Sequence, residues 1–466
     1  MFNRILKLSM LDVVLLAGIV LIYFPFSVRI PMLSTIIFWL ISIFFLFSSG
    51  VYAFFFAFFT AINITDSVDI TNYKLSTTVV IFSSILFKSS IKKNPFNDHR
   101  FKKIFILGLA FSLYWIVSYF VKSPNRSIAD LFFAYPFLVF GFLVCLPAYI
   151  HFINSLTIAI AIIFKVAILY VFSYYLCFFA EIPLFYKNAI SRNEESDLIR
   201  YVGADLRSIF SFLTIFIPLI LSSSTQIDFK SRITYTSVLI LILGVLYVSF
   251  MRLEGFYTLS TLFLVVFLFY MNNFLDFRRI YLSVIFVFFA ALPIIGVSNI
   301  LEVLTIINWS FGSLSGTEVD TSVDTRLLVE FPFLWEQFQK YPIFGVGLEN
   351  LGIQEKNELG AYAFVDIPIL GSLAAYGIIG MSIYYIKIFT LIRLKPKMTN
   401  SLTVYSTNVN KSIIAIWAYI LGMLLFRFFH ISFELVFDYR QVEYGLIIGL
   451  FLALYRIKDS LQVVRG

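Results

Sequence analysis

Several arginines stand at the predicted outer ends of long apolar segments, where a charge costs free energy to hold beside hydrocarbon. They are Arg200, Arg207, Arg252 and Arg326. A guanidinium presents a rigid fork of donors that matches phosphate oxygens. The arginines therefore predict an anion site, with anchoring to lipid headgroups as the alternative for any one of them. For Arg252, in a very short turn, pairing with Glu254 is a further alternative.

Arg326 falls in the first turn of a predicted amphipathic helix over 325–340. Apolar residues share one broad face of this helix: Leu327, Leu328, Phe331, Leu334, Trp335 and Phe338. A helix dipole disfavours a cation in the first turn, so Arg326 does not serve helix stability there. Thr325 or Asp324 is a suitable N-cap, and Pro342, Gly345 and Gly347 should end the helix in a tight turn. The helix should lie on the membrane surface or close over a cavity.

Asp366 is a carboxylate at the start of a long apolar helix. It could orient or deprotonate a hydroxyl group, or simply act as a favourable charge near the helix N-terminus. Pro368 suits the first turn. The small residues that follow should let neighbouring helices pack closely: Gly371, Ala374, Ala375, Gly377 and Gly380.

A weaker set consists of Arg427, His430 and Glu434, which share one face at helical spacing. His430 is the only histidine near a predicted outward site. For these three residues, packing or surface pairing is the preferred explanation over chemistry.

The composition places these residues in a membrane protein. Of 466 residues, 60% are hydrophobic and 13% charged, whereas soluble domains are about one quarter charged. Continuous apolar runs indicate membrane-spanning helices. The net charge of +8 is explained by basic residues in cytoplasmic loops, so no nucleic-acid partner is expected. Cys145 and Cys177 have no pairing or metal-binding pattern, so we expect neither a disulfide nor a metal site.

The predicted fold is an all-α polytopic bundle of about 12–14 transmembrane helices, as one membrane domain over 1–466. The candidate spans are 11–28, 33–48, 50–64, 75–91, 103–121, 129–150, 154–180, 208–225, 233–251, 254–274, 280–298, 364–392, 412–430 and 441–457. The apolar run 32–64 is either one tilted helix or two helices that turn near Ser49. Two long outward loops are predicted at 181–207 and 299–363.

The distribution of basic residues decides this choice. The densest cluster lies within 88–103, and both it and the N-terminus should be cytoplasmic. An even number of spans must then separate them, which requires two helices in 32–64. Both termini lie inside, and the same side collects further basic residues: Lys230, Arg232, Arg278, Arg279, Arg393, Lys395, Lys397, Lys411, Arg456, Lys458 and Arg465.

Two motifs carry a resemblance to a known family. The first is Arg326, then Trp335, then the stretch Tyr341-Pro342-Ile343-Phe344-Gly345-Val346-Gly347. The second is Asp366-Ile367-Pro368-Ile369-Leu370 followed by Gly377-Ile378-Ile379-Gly380. With Arg207 and Arg252 near helix ends, the chain resembles the superfamily of O-antigen ligases and O-antigen or capsule polysaccharide polymerases of the Wzy type. Ligases of this superfamily usually have histidine with asparagine where this chain has Asp366-Ile367, so the resemblance is closer to a polymerase.

The resemblance implies a GT-C-like fold in the bacterial inner membrane, with an active site that faces the periplasm. The substrates would be oligosaccharides linked to undecaprenyl pyrophosphate, and a chain-length regulator protein is an expected partner. No metal or cofactor is expected, because the pyrophosphate is already an activated leaving group. By resemblance, Asp366 and Arg326 are the catalytic residues. The pyrophosphate would be bound by Arg207, Arg252, Arg326 and Arg200.

Two other functions remain open. A ligase would transfer the glycan to lipid A core instead of to another repeat unit. A flippase or other transporter would place charges near mid-membrane along a pathway. Lys165 is the clearest deep charge, and few partners for it are in sight in the sequence. One isolated lysine favours transport only weakly.

Overall fold

A computed structural model describes the chain in segments. The described residues are 8–27, 31–63, 71–86, 94–122, 129, 132, 136–180, 189–192, 199–202, 212–213, 219, 252–274, 330–346, 368–394, 404–426 and 438–463. Their α-helices are α1 (Met10–Ser27), α2 (Pro31–Ser48), α3 (Gly50–Asn63), α4 (Thr71–Ser83), α5 (His99–Lys122), α6 (Pro136–Phe140), α7 (Cys145–Ala180), α8 (Arg252–Met271), α9 (Phe331–Lys340), α10 (Pro368–Arg393), α11 (Val404–Phe426) and α12 (Asp438–Val463). Short 3₁₀ helices span Pro95–Asn97 and Gly141–Val144.

Apolar helices dominate the described part of the chain, as the composition predicts. Three stretches there are long and apolar enough to cross a membrane: His99–Val121, Gly141–Ser173 and Leu370–Arg393. Shorter apolar helices of 10–17 residues are Met10–Ile22, Leu33–Ser48, Gly50–Ala61, Ser260–Met271 and Val409–Gly422. The helical class is therefore confirmed and a helical membrane protein agrees with these lengths, whereas the count of about 12–14 spans stays a prediction.

The chain forms two compact units. The first comprises Met1–Val265, Ile383–Phe426 and Phe437–Gly466, and the second comprises Val266–Ser382 and Arg427–Val436. The boundary falls within α8 and within α10.

The run 32–64 forms two helices, as the charge argument predicts. α2 ends at Ser48 and α3 begins at Gly50. Aromatic rings of the two helices pair in antiparallel order. The ring centroids of Phe45 and Tyr52 are 5.8 Å apart, and those of Phe38 and Phe56 are 5.7 Å apart. Antiparallel neighbours joined by one residue cross the bundle in opposite directions, so the alternative of a single tilted helix is wrong.

Closely packed glycines join α12 to α7 and to the 3₁₀ helix before it. A Cβ on Gly445 would lie 2.8 Å from the carbonyl oxygen of Gly141, and a Cβ on Gly449 would lie 2.5 Å from the Ala148 Cβ. Residue numbers rise together along both helices, so the two run parallel. Small residues four apart allow this approach of the backbones. Parallel packing agrees with the predicted spans 129–150 and 441–457, which run in the same direction.

The predicted separation of spans 129–150 and 154–180 falls next to a break in α7. At Ser155 (φ −148°, ψ 42°) the backbone is not helical, so α7 consists of two helical segments that meet at this residue. The structure also shows one short sheet among the described residues, outside the helices. In the loop 181–207, β1 (Ala189–Arg192) and β2 (Ile199–Val202) pair as an antiparallel two-stranded sheet, with Ser191 opposite Arg200. Backbone pairing between strands depends on register as well as composition, so the loop residues alone did not indicate it.

Candidate functional site

The first part of the candidate site is the amphipathic helix α9, in the second unit. Leu334 is fully buried, whereas Phe331 and Trp335 on the neighbouring face are 45% and 46% exposed. On the opposite face Lys340 donates a 2.6 Å hydrogen bond to Glu336, and this bond raises the pKa of Lys340. The predicted amphipathic character is thus confirmed for Phe331–Lys340. The expected N-cap at Asp324 or Thr325 and the residues 325–329 lie outside the described residues.

The helix ends in a tight turn, as Pro342 and Gly345 predict. The amide of Tyr341 donates to the Gln337 and Phe338 carbonyls, at 3.0 and 3.2 Å, and closes the last helical turn. The amide of Gly345 then donates to the Tyr341 carbonyl at 2.9 Å. Gly345 has φ +71°, a left-handed conformation that favours glycine. We call residues 341–346 the joint turn.

A break in α10 receives the joint turn. At Gly377 (φ 63°, ψ −175°) the helix loses its regular geometry. In an unbroken helix the amide of Ile378 would donate to the Ala374 carbonyl. Here Ile378 donates to Pro342 at 2.9 Å, and Ala374 instead accepts from Val346 at 2.8 Å. The joint turn therefore satisfies backbone groups that the break leaves open.

Both sides of this contact require glycine. A Cβ on Gly345 would lie 2.6 Å from the Tyr376 nitrogen and even closer to the Ala375 carbonyl oxygen. A Cβ on Gly377 would overlap the carbonyl oxygen of Ile343 and lie 2.6 Å from the Gly345 nitrogen. These obstacles are backbone atoms, which cannot move aside as a side chain can. The small residues of α10 were predicted to admit a neighbouring helix, but in the second unit they admit this turn.

The proposed catalytic and binding residues lie mainly outside the described part of the chain. Arg207, Arg326, Asp366, Arg427, His430 and Glu434 are outside the described residues. For two others only the backbone is described: Arg200 lies in β2, and Arg252 is the first residue of α8. Their proposed roles stay predictions. What the structure brings together is the two segments that carry the motifs, through the joint turn and the break at Gly377.

A buried ion pair in the first unit was missed by the sequence analysis. Lys165 of α7 donates a 2.6 Å hydrogen bond to the Asp12 carboxylate, and both side chains are buried. The same carboxylate accepts from the Ser9 amide at 2.7 Å and from the Tyr52 hydroxyl at 3.0 Å. The interpretation of Lys165 as an isolated deep charge is therefore wrong. The two residues are 153 positions apart, and no local spacing signals their contact.

A second buried cation, Lys387 of α10, is surrounded by aromatic rings in the first unit. Its Nζ lies 4.3 Å from the centroid of the Phe142 ring, 4.4 Å from that of Tyr384 and 5.3 Å from that of Phe111. Ring faces carry partial negative charge, so this arrangement partly replaces the hydration that burial removes. The sequence analysis did not single out Lys387.

One end of the first unit collects charges from several helices. Asp98 accepts hydrogen bonds from the amide of Arg100 at 3.0 Å and from the Tyr149 hydroxyl at 3.1 Å. The Arg100 side chain pairs with Asp459 and lies 5.0 Å from the centroid of the Tyr455 ring. Basic stretches predicted for one side, around 88–103 and in the C-terminal tail, thus lie together. This agrees with the proposed orientation of the spans.

The described residues include no group of three or more histidine, cysteine, aspartate or glutamate side chains placed to hold a metal ion. No protein-family model matches the chain, and no curated protein sequence matches it.

Proposed function

We propose that the chain is a membrane glycosyltransferase that polymerises surface polysaccharide, an O-antigen, capsule or exopolysaccharide polymerase of the Wzy type. The observation that carries the proposal is the joint between the two motif segments. The stretch that begins at Tyr341 supplies the turn, and the stretch that contains Gly377 supplies the break that receives it. Motifs 30 or more residues apart that form one contact favour a common functional element over two coincidental similarities.

The joint also limits how far the two candidate catalytic residues can lie from a common point. Arg326 precedes α9 by five residues, and α9 is about 15 Å long at 1.5 Å per residue. Asp366 precedes α10 by two residues, and Gly377 is nine residues further along, about 14 Å of helix. Each residue therefore belongs to a short segment that is anchored at the same joint. A site that uses both residues is compatible with these lengths.

In the proposed reaction, an acceptor hydroxyl oxygen on one lipid-linked repeat unit attacks the anomeric carbon of the growing glycan. The bond between that carbon and the phosphate oxygen breaks, and undecaprenyl pyrophosphate leaves with the electron pair. Asp366 would orient the hydroxyl and take its proton. Arg326, with Arg207, Arg252 and Arg200, would bind the pyrophosphate and stabilise its developing charge. Catalysis would then depend mainly on positioning and electrostatics.

A GT-C-like bundle of about 12–14 spans in the bacterial inner membrane, with a periplasmic site, belongs to the same proposal. So does a chain-length regulator as partner. The rival transport function would use Lys165, which is not isolated but paired with Asp12 inside the first unit. A ligase shares the donor and differs only in the acceptor.

The proposal is tested by deleting the gene in the native bacterium and analysing its surface polysaccharide by gel. A polymerase deletion should leave single repeat units on lipid A core and no ladder. Complete loss of attached glycan, with polymer still on the lipid carrier, would indicate the ligase. An unchanged ladder would exclude both and favour the transporter.

Point variants in the complemented strain then test the assigned residues. Arg326→Ala and Asp366→Asn should both abolish the ladder while the protein remains in the membrane. Lys340→Ala and Glu336→Gln are matched controls, because they remove an exposed pair on the polar face of α9. They should restore the ladder. Full activity of Arg326→Ala would contradict the proposed pyrophosphate site.

A further inference from the structure

The second unit exposes apolar side chains on both sides of the joint. Phe331 and Trp335 of α9 are 45% and 46% exposed, and Ile343 of the joint turn is 56% exposed. Across the contact, Ile378 and Ile379 of α10 are 53% and 38% exposed. Backbone hydrogen bonds connect the two groups directly: Ile378 donates to Pro342, and Ile379 donates to Ile343 at 3.2 Å. The exposed apolar residues of the turn therefore continue those of α10.

The position of the break along α10 sets the depth of this surface. The stretch Leu370–Arg393 is long and apolar enough to cross a membrane. The regular geometry of α10 is interrupted at Gly377, so the helix that continues beyond the break runs over 378–393, 16 residues or about 24 Å. The hydrocarbon core of a bilayer is about 30 Å thick. A helix that starts at one membrane surface with Arg393 therefore ends inside the core, and the break and the turn bonded to it lie below the opposite surface.

Irregular backbone is tolerated at such a depth only where protein satisfies its polar groups. The joint turn meets this condition at the contact. Pro342 has no amide hydrogen, and its carbonyl accepts from Ile378. The carbonyl of Ile343 accepts from Ile379, and the amides of Gly345 and Val346 donate to Tyr341 and Ala374. The contact thus removes the main cost of placing a turn in hydrocarbon.

The apolar and the charged side chains of α9 lie on opposite faces, as a location at the membrane interface requires. Leu334 is buried against protein, whereas Phe331 and Trp335 are exposed and apolar. The charged pair Glu336–Lys340 lies on the opposite face, with 59% and 54% of the side chains exposed. A helix with this division lies at the interface, with its apolar face in the acyl region and its charges among headgroups and water.

We propose that residues 331–346 form a re-entrant element embedded in one leaflet, where Phe331, Trp335 and Ile343 contact the acyl chains of bilayer phospholipids. The occupant of the surface is lipid because the surface continues that of a membrane-crossing helix. The inference does not depend on the polymerase proposal. It assigns to the membrane a segment that the sequence placed in the long loop 299–363.

Site-directed spin labelling in phosphatidylcholine bilayers tests this location. Cys145→Ala and Cys177→Ala provide a background without native thiols, in which Trp335→Cys, Ile343→Cys, Glu336→Cys and Gln339→Cys are labelled one at a time. Labels at 335 and 343 should collide several times more often with oxygen than with a water-soluble nickel chelate. The labels at 336 and 339 should show the reverse. Water-like accessibility at 343 overturns the proposal, and so does protection of 343 from both reagents, because protein would then cover it.

The unlabelled protein provides a second measurement that does not require the cysteine substitutions. Phosphatidylcholine with brominated acyl chains quenches tryptophans that contact lipid. The quenched fraction should fall in Trp335→Phe relative to the native chain. Trp115→Phe is the matched control, because Trp115 is fully buried, and it should not reduce the quenched fraction. Equal quenching of the native chain and Trp335→Phe would contradict the proposal.

Discussion

Lys165 Nζ lies 2.6 Å from Asp12 Oδ2, and this pair ties the first turn of α1 to α7. Both side chains are at most 7% exposed. Removal of one partner leaves an uncompensated buried charge, which costs about 3–5 kcal/mol, whereas replacement of both partners is often nearly neutral. Ser9 and Tyr52 bind the same carboxylate, so the pair belongs to a network that involves α3 as well.

We therefore expect Asp12→Asn and Lys165→Met each to lower the thermal midpoint of the detergent-solubilised protein. The double variant should be more stable than either single variant. Fluorescence-detected gel filtration after heating measures all three midpoints. Lys340→Met, which breaks an exposed pair, is the control and should leave the midpoint unchanged. Additive losses in the double variant would show that the two side chains are not energetically coupled.

The contact between the joint turn and the break at Gly377 predicts a large loss of stability for two alanine substitutions. In Gly345→Ala and Gly377→Ala the new Cβ meets backbone atoms of the opposite segment, and the positive φ is unfavourable for alanine. We expect each variant to lose more than about 3 kcal/mol of stability, because neither obstacle can rotate away. Midpoints of thermal unfolding and the amount of folded protein in membranes check this expectation.

Gly18→Ala is the matched control for these two variants. A Cβ at Gly18 would lie 3.0 Å from the end of the Ile41 side chain and 3.1 Å from the Phe56 ring, which are side-chain atoms and not backbone. Alanine also has the higher helix propensity, by about 1 kcal/mol. The control should therefore remain close to the native midpoint. A loss at Gly377 no larger than at Gly18 would mean that the joint turn is not docked in the break.

The parts of this fold that follow from local pattern were predictable from the sequence, and those that depend on distant partners were not. The two basic regions can both be cytoplasmic only if an even number of spans separates them, which required two helices in 32–64. The helices α2 and α3 confirm this division. Proline and glycine signalled the end of α9. By contrast, Gly377 lies in an apolar run among other small residues, which looks like a helix-packing surface. Only the incoming turn, from a segment more than 30 residues earlier, makes that position a break.

The same limit applies to the candidate site. Residue types at helix ends were enough to propose an anion site, because arginine and aspartate are costly beside hydrocarbon. The Asp12–Lys165 pair was missed because its partners meet only after α1 and α7 pack together. The β1–β2 pairing was missed because the strands are only four residues long and lie in a polar loop.

The parallel packing of α7 and α12 predicts a compensating pair of substitutions. A Cβ on Gly449 would lie 2.5 Å from the Ala148 Cβ, with the Tyr149 nitrogen at 2.9 Å and the Cys145 carbonyl oxygen at 3.0 Å as further obstacles. Gly449→Ala should therefore destabilise the protein by about 1–3 kcal/mol through overpacking. Ala148→Gly removes the opposing methyl group, so the double variant should recover part of the loss. Thermal midpoints of the two single variants and the double variant measure this coupling, and no recovery would argue against the contact.

The last prediction concerns Lys458, which follows the final predicted span and is 7% exposed. Burial lowers the pKa of Lys458, and the neighbouring Asp459 partly opposes this effect. The unfolded chain then binds more protons than the folded protein between the lowered pKa and about pH 10.5. Stability rises with pH wherever the unfolded state binds more protons. The folded protein should therefore gain stability from Lys458 as the pH rises through this window.

Lys458→Gln removes this titration, so the midpoint of the native chain should rise relative to that of the variant as the pH rises towards about 10.5. At pH 7 the variant should be the more stable of the two, because glutamine avoids burying a charge. Lys103→Gln, which removes an exposed lysine of α5, controls for the loss of one positive charge. A difference between the native chain and Lys458→Gln that stays constant with pH would mean that Lys458 is hydrated as fully in the folded protein as in the unfolded chain.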